Sequence, residues 1–174
     1  MEKASQSQRR RIVLAAGAGA FAGAAALLWK LRGGSESYPK GPPLAVELGN
    51  LEQGKLLTVE WRGLPVWVLR RSEEQVTALA GHEGQLADPD SNLSQQPPSC
   101  RNPQRSQRPD LLVAIGLCTH QGCTPALVSG GFLCPCHASK YDLAGRVFKS
   151  GPAPSNLVIP AHQFESGNTL VLGS

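Results

Sequence analysis

Aromatic side chains are scarce in this chain: three tryptophans, two tyrosines and four phenylalanines in 174 residues. With 19 glycines and 14 prolines beside them, the composition points to a β-rich domain with many turns. A basic body is missing too. Six of the 17 Lys/Arg lie in residues 1–32 beside one of the 13 acidic residues, which leaves 11 basic against 12 acidic from residue 33 onward. A body so close to neutral excludes a nucleic-acid surface built on phosphate neutralisation. No segment recurs at a fixed period, which excludes a repeat array. Near the N-terminus, the 18 residues Ile12–Trp29 carry no charge and are mostly small and apolar, the length of a membrane-crossing helix. The length therefore divides into one membrane segment and one globular domain of roughly 130 residues.

Arg9-Arg10-Arg11 precedes that run. Extended by Lys30 and Leu31, it spans about 30 Å as a helix, close to the thickness of a bilayer core. Arg10-Arg11-Ile12-Val13-Leu14 resembles the twin-arginine export signal, with Val13 where that pattern usually has phenylalanine. An ordinary signal peptide or membrane anchor with a chance arginine run is the plainer alternative. The expected order is a basic cytoplasmic leader over 1–11, a transmembrane anchor over 12–31 and a flexible tether over 32–43. The tether, with its glycines and prolines, reaches at most about 35–40 Å when stretched. A globular domain over 44–174 then faces the periplasm.

Within that domain, Leu44–Leu48, Leu56–Trp61, Pro65–Arg70, Leu111–Leu117, Arg146–Phe148, Leu157–Pro160 and Thr169–Leu172 read as short strands. Arg62-Gly63-Leu64 reads as a hairpin connection. Ser72-Glu73-Glu74-Gln75 fits a capping box and predicts a short helix to about Leu79. Residues 81–110 are rich in Pro, Ser, Gln, Asn and Asp and read as a long surface excursion. Cys100 within it reads as a free bystander thiol. His82 and His162 read as ordinary surface or edge residues, and Trp61 and Trp67 as core or sheet-face residues.

Four of the five cysteines and two of the four histidines fall between Cys118 and Ser139. They form two stretches, Cys118-Thr119-His120-Gln121-Gly122-Cys123 and Cys134-Pro135-Cys136-His137-Ala138-Ser139. Thiolate and imidazole pairs on two tight loops suit Zn²⁺ or an iron–sulfur centre. Zinc takes four ligands and leaves two thiols idle beside a metal that favours thiolate. An iron–sulfur centre of mixed ligation accounts for the set, with two cysteines on one iron and two histidines on the other.

With these two boxes, the leader and the tether, the chain resembles the Rieske iron–sulfur subunit of the bacterial quinol–cytochrome c oxidoreductase (cytochrome bc) complex. The resemblance implies an all-β Rieske domain, antiparallel sheets with a small cluster-binding subdomain at about 118–154, on a single N-terminal transmembrane helix. It implies one Rieske-type 2Fe–2S cluster held by Cys118, His120, Cys134 and His137, with a disulfide between Cys123 and Cys136. Ser139 and Tyr141 match the family's hydroxyl donors to cluster sulfurs, and Gly151-Pro152-Ala153-Pro154 its proline loop. Histidine ligation makes adding an electron easier, because a diferric cluster with two thiolates is neutral and one with four is doubly negative. His137 is the residue that would hydrogen-bond ubiquinol and take its proton, although on the residues alone His120 serves equally.

The implied partners are cytochrome b, a c-type cytochrome and ubiquinol, in a dimeric complex of the bacterial inner membrane. The implied activity is that of a subunit of ubiquinol–cytochrome c reductase, inactive alone. An independent Rieske carrier, the small subunit of another periplasmic oxidoreductase such as an arsenite oxidase, and a zinc-stabilised binding module are the other readings. Three positions depart from the family pattern: Gln121 stands at a usual leucine, Ala138 at a usual glycine, and Thr124–Leu133 is a short connection.

Overall fold

A computed structural model describes residues 41–165 and 168–173. The leader, the anchor and most of the tether lie outside the described residues. Among those described, no helix is long and apolar enough to cross a membrane. The strands are β1 (Leu44–Glu47), β2 (Leu56–Trp61), β3 (Leu64–Arg70), β4 (Leu111–Ile115), β5 (Ala126–Val128), β6 (Gly131–Leu133), β7 (Lys140–Asp142), β8 (His162–Phe164) and β9 (Thr169–Leu172). One helix, α1 (Glu73–Ala78), follows β3. The fold is all-β, in three antiparallel sheets ordered β1-β9-β8, β2-β3-β4 and β5-β6-β7.

The middle sheet explains why β4 is a continuous apolar run. Successive strand residues point to opposite faces, so a strand that alternates polar and apolar has one face in water and a strand that does not has neither. Leu111, Val113 and Ile115 enter one core with Trp61, Val66, Val68, Leu170 and Leu172. Leu112 and Ala114 enter the other with Trp67, Leu69, Phe132 and Tyr141. The first core joins the middle sheet to β1-β9-β8, and the second joins it to the small sheet β5-β6-β7. Trp67 stacks on Phe132 with ring centroids 4.9 Å apart and so ties β3 to β6. Gly116 is required beside it, since a Cβ there would lie 2.4 Å from the indole. The chain leaves β4 through this glycine and reaches Cys118 two residues later.

Local signals hold in several places. Arg62 and Gly63 have φ of 54° and 75°, the left-handed pair that a two-residue type I′ hairpin requires. Leu64 is therefore in β3, paired with Trp61, and not in the turn. The capping box at Ser72 is present with both reciprocal bonds. The helix is followed by a 3₁₀ segment, Leu79–Gln85. Trp61 and Trp67 are both buried.

Other expectations are overturned. Arg146–Phe148 and Leu157–Pro160 are not strands. They meet edge strands and loops only through isolated bonds, such as Ile115 N–H on β4 to Val158 O, Phe148 N–H to Lys140 O on β7 and Leu157 N–H to Gly145 O, and these are too few in a row to form a ladder. Residues 81–110 are not a passive surface excursion: Leu86, Asp88, Cys100, Arg105 and Ser106 are buried. Cys100 is free but fully enclosed, and burial pushes its thiol up. His162 lies on the edge strand β8, as one of the two readings had it, but its side chain is buried and not at the surface.

Candidate metal centre

The two boxes fold into the same loop. In the first, Cys118 N–H donates to Cys123 O and Gly122 N–H to Cys118 O, both at 2.8 Å. In the second, Cys134 N–H donates to Ser139 O at 2.8 Å and Ala138 N–H to Cys134 O at 3.0 Å. Each loop thus spans six residues, closed by one bond from the first N–H to the sixth carbonyl and one from the fifth N–H to the first carbonyl. The fifth residue must turn left-handed to close it, and Gly122 and Ala138 have φ of 76° and 57°. Equal loop lengths in the two boxes were the sequence signal of this equivalence.

A disulfide joins Cys123 to Cys136, with Cα atoms 6.5 Å apart. Cys118 and Cys134 remain free and buried, at 3% and 1% exposure. The sulfurs of Cys123, Cys134 and Cys136 lie within 4.8 Å of one another. Two of these three are bonded to each other, so only Cys134 among them can act as a thiolate ligand. The His120 and His137 rings sit edge to face with centroids 4.7 Å apart. His120 is half-buried and His137 exposed. The loops therefore turn their thiols inward and present their imidazoles together on the outside.

This donor set fits a two-iron centre of mixed ligation. His120 Nδ1 is buried and has no hydrogen-bond partner, which is costly for a polar atom unless something else meets it. Two unpaired thiols and an orphaned ring nitrogen supply what iron–sulfur ligation needs, soft thiolate and borderline imidazole.

The surroundings favour the anionic form of the sulfur. Tyr141 Oη donates to Cys118 Sγ at 3.2 Å. Burial pushes the Cys118 thiol up, yet bonds from Tyr141, the His120 backbone, Cys134 and Ser139 outweigh it and leave the thiol below its ordinary value. Burial, then the bond to Cys118, pushes the Tyr141 phenol up, so it remains a donor. Thr119 N–H donates to Tyr141 Oη at 3.1 Å and fixes the hydroxyl. Ser139 is fully buried, and its Oγ accepts from Ala153 N–H at 3.1 Å. Gly151 packs so closely on Ser139 that a Cβ would lie 2.7 Å from its Cα. The Gly151–Pro154 segment therefore covers the second box directly, with Ala153 buried and Pro152 and Pro154 exposed.

Residues 103–164 match the family described as the Rieske [2Fe-2S] domain. The ubiquinol–cytochrome c reductase iron–sulfur subunit of Allochromatium vinosum is 48% identical, over 76% of this chain and 70% of that one. The subunit of the same name from Bradyrhizobium diazoefficiens is 35% identical over 96% and 94%. The chain belongs to the family of ubiquinol–cytochrome c reductase iron–sulfur subunits. Among solved structures, a chain of a hyperthermophilic respiratory Complex III superposes with a TM-score of 0.51 at 26% identity, covering 91% of this chain and 98% of that one. The cofactor of this domain is a Rieske 2Fe–2S cluster.

Sequence reasoning missed the polar base on which the site stands. Arg71, Arg105 and Arg146 are among the largest fully buried side chains. Arg71 donates to Leu143 O and Gln104 O, both at 3.0 Å, and to Ser106 Oγ at 2.8 Å. Arg105 donates to Leu157 O at 2.8 Å, to Ala144 O at 3.3 Å and to Gly145 O at 3.2 Å. Arg146 Nε donates to Asp142 Oδ2 at 2.7 Å. Asp142 also takes the N–H groups of Ala144 and Arg146. Burial lowers Arg71 and Arg105 to about 10, which leaves both charged. No residue spacing in the sequence announces these contacts, which join residues 33 to 72 positions apart for Arg71 and Arg105.

Proposed function

We propose that Cys118, His120, Cys134 and His137 hold the cluster, and that this chain is the electron-transfer subunit of a membrane quinol–cytochrome c oxidoreductase. The observation that carries the assignment is the pair of equivalent loops, which bury two thiols and gather two imidazoles on the open side. The cluster supplies a one-electron acceptor whose potential is raised by histidine ligation. Every remaining part of the reaction falls to the chain's own groups.

Burial of Cys118 and Cys134 keeps water from the sulfur side. Tyr141, and Ser139 beside it, donate toward sulfur and favour the more negative state. The exposed ring of His137 is the group that hydrogen-bonds the quinol hydroxyl and takes its proton at Nε2. His120, whose Nδ1 is buried, is half-covered and stands beside it. Exposure thus favours His137 over His120 for contact with quinol. Cytochrome b is the partner that delivers quinol to this face, and a c-type cytochrome receives the electron. The tether over 32–43 lets the domain move between them, and the anchor over 12–31 keeps it at the periplasmic face of the inner membrane in a dimeric complex.

The test is purification of the tagged full chain from its own membranes. Co-purifying b- and c-type haem with quinol-dependent reduction of cytochrome c supports the assignment. A haem-free chain with an intact cluster would make it an independent carrier.

A further inference from the structure

The segment from Leu86 to Gln96 has no part in the proposed reaction, yet it is built into the protein and not laid over it. It pairs with the start of the 147–156 loop, with Ala87 N–H donating to Val147 O at 2.9 Å and Leu86 bridging Phe148, and it reaches the end of that loop at one fully buried residue, Asn156. Asn156 Nδ2 donates to Asp88 O at 2.8 Å and Ser91 Oγ at 2.9 Å. Its Oδ1 accepts from Val147 N–H at 2.8 Å, and its own N–H donates to Ser94 Oγ at 3.0 Å. Ser94 Oγ in turn donates to Asp88 Oδ2 at 2.8 Å. An amide has two donor hydrogens, and both are used here. The bond to Val147 also joins the two ends of the 147–156 loop, which carries the proline segment.

What that loop does at its other end gives the clamp a purpose. Ala153 N–H occupies the Ser139 oxygen, so the Ser139 proton is turned away from the loop. The hydroxyl is thereby left to donate toward the sulfur side of the site and not toward the loop. Ser155 O accepts from Thr119 Oγ1 at 2.7 Å, and Thr119 N–H fixes the Tyr141 hydroxyl that donates to Cys118. Pro152 and Pro154 stiffen the backbone between these contacts, so a loop held at its base is held at its tip.

We infer that Asn156, gripped by the 86–96 segment, is a positioning residue that closes the proline loop on Ser139 and Thr119. In that role it sets the electron affinity of the centre without touching it. This rests on the ligand assignment proposed above. Aspartate at 156 has the shape but not the donor hydrogens, and sets a carboxylate against Asp88 O and Ser91 Oγ. The Ser139 hydroxyl and the Tyr141 hydroxyl that donates to Cys118 are then both less firmly held.

The test is a redox titration of the full chain in its complex, followed by electron paramagnetic resonance. Asn156→Asp is expected to keep the signal and weaken electron affinity about threefold, which is about 28 mV at about 59 mV per tenfold change. Ser94→Ala, which spares the amide, is expected to shift it the same way by less. In a chain already carrying Ser139→Ala and Tyr141→Phe, Asn156→Asp is expected to add no shift. A clamp with a merely structural role would lower the melting temperature and leave the potential alone. Unchanged potentials in both variants, or a full shift retained in the double-substituted background, would overturn the inference. If Asn156→Asp fails to assemble, Ser94→Ala decides by the same two criteria. Absence of any iron signal in the unsubstituted chain would instead strike the ligand assignment.

Discussion

Exchanging the residues at the fifth position of the two loops, Gly122→Ala and Ala138→Gly, separates backbone strain from every other property of the site. Both positions are left-handed, at φ of 76° and 57°, and both are exposed. A Cβ at Gly122 would meet nothing within 4 Å, so a steric clash with neighbours does not enter. A left-handed residue with a Cβ costs about 1–2 kcal/mol. Glycine returns about 0.4–1 kcal/mol of that through its freer unfolded chain. The balance is about 0.5–1 kcal/mol in favour of glycine at either place. Gly122→Ala is therefore expected to lower stability by that amount and Ala138→Gly to raise it. On a domain of this size that is about 2–4 °C each. The double exchange is expected to leave stability near its starting value. The assay is thermal loss of the visible cluster absorbance at one heating rate, because the loss is irreversible and rate-dependent. A destabilised Ala138→Gly chain would refute the equivalence of the two loops.

Tyr141→Phe removes the donor to Cys118 and leaves Thr119 N–H without its acceptor. At ~1–2 kcal/mol of differential bonding, the midpoint potential should fall by roughly 40–90 mV with the cluster retained, as read by redox titration. His162 Nδ1 donates to Pro160 O at 2.8 Å, which leaves Nε2 buried and unpaired. Burial lowers its pKa from 6.5, so the unfolded chain binds the proton first and stability falls as pH drops below 6.5. That decline, measured by denaturation at several pH values, should be shallower in His162→Gln. Cys136→Ser opens the link between the loops, at a cost of about 3 kcal/mol for a closure of this length. Faster bleaching on heating checks it.

Much of the site was legible because ligand chemistry is local. Cys118, Cys123, Cys134, Cys136, His120 and His137 stand in two six-residue stretches, and residue type with spacing is enough to bring them together. β2 and β9 were read to the residue because their apolar runs end at a turn. The small sheet was not: β5 is exposed along its length and β6 and β7 have three residues each, too few to show a period. The 81–110 segment was misread because polar composition looks the same on a surface and in a buried hydrogen-bonded base. Arg105 and Asn156 are buried because partners far along the chain satisfy them, and a one-dimensional pattern does not carry partners. His162 does lie on an edge strand, β8, but residue type alone does not show that its ring is buried and held by Pro160 O.

Pulsed electron paramagnetic resonance of the dithionite-reduced full chain, grown with ¹⁵N-histidine, reads the metal and its ligands together. Hyperfine coupling to nitrogens from two separate imidazoles, lost one at a time in His120→Cys and His137→Cys, is the predicted result. A chain that carries zinc, or an iron centre without histidine nitrogen coupling, contradicts it.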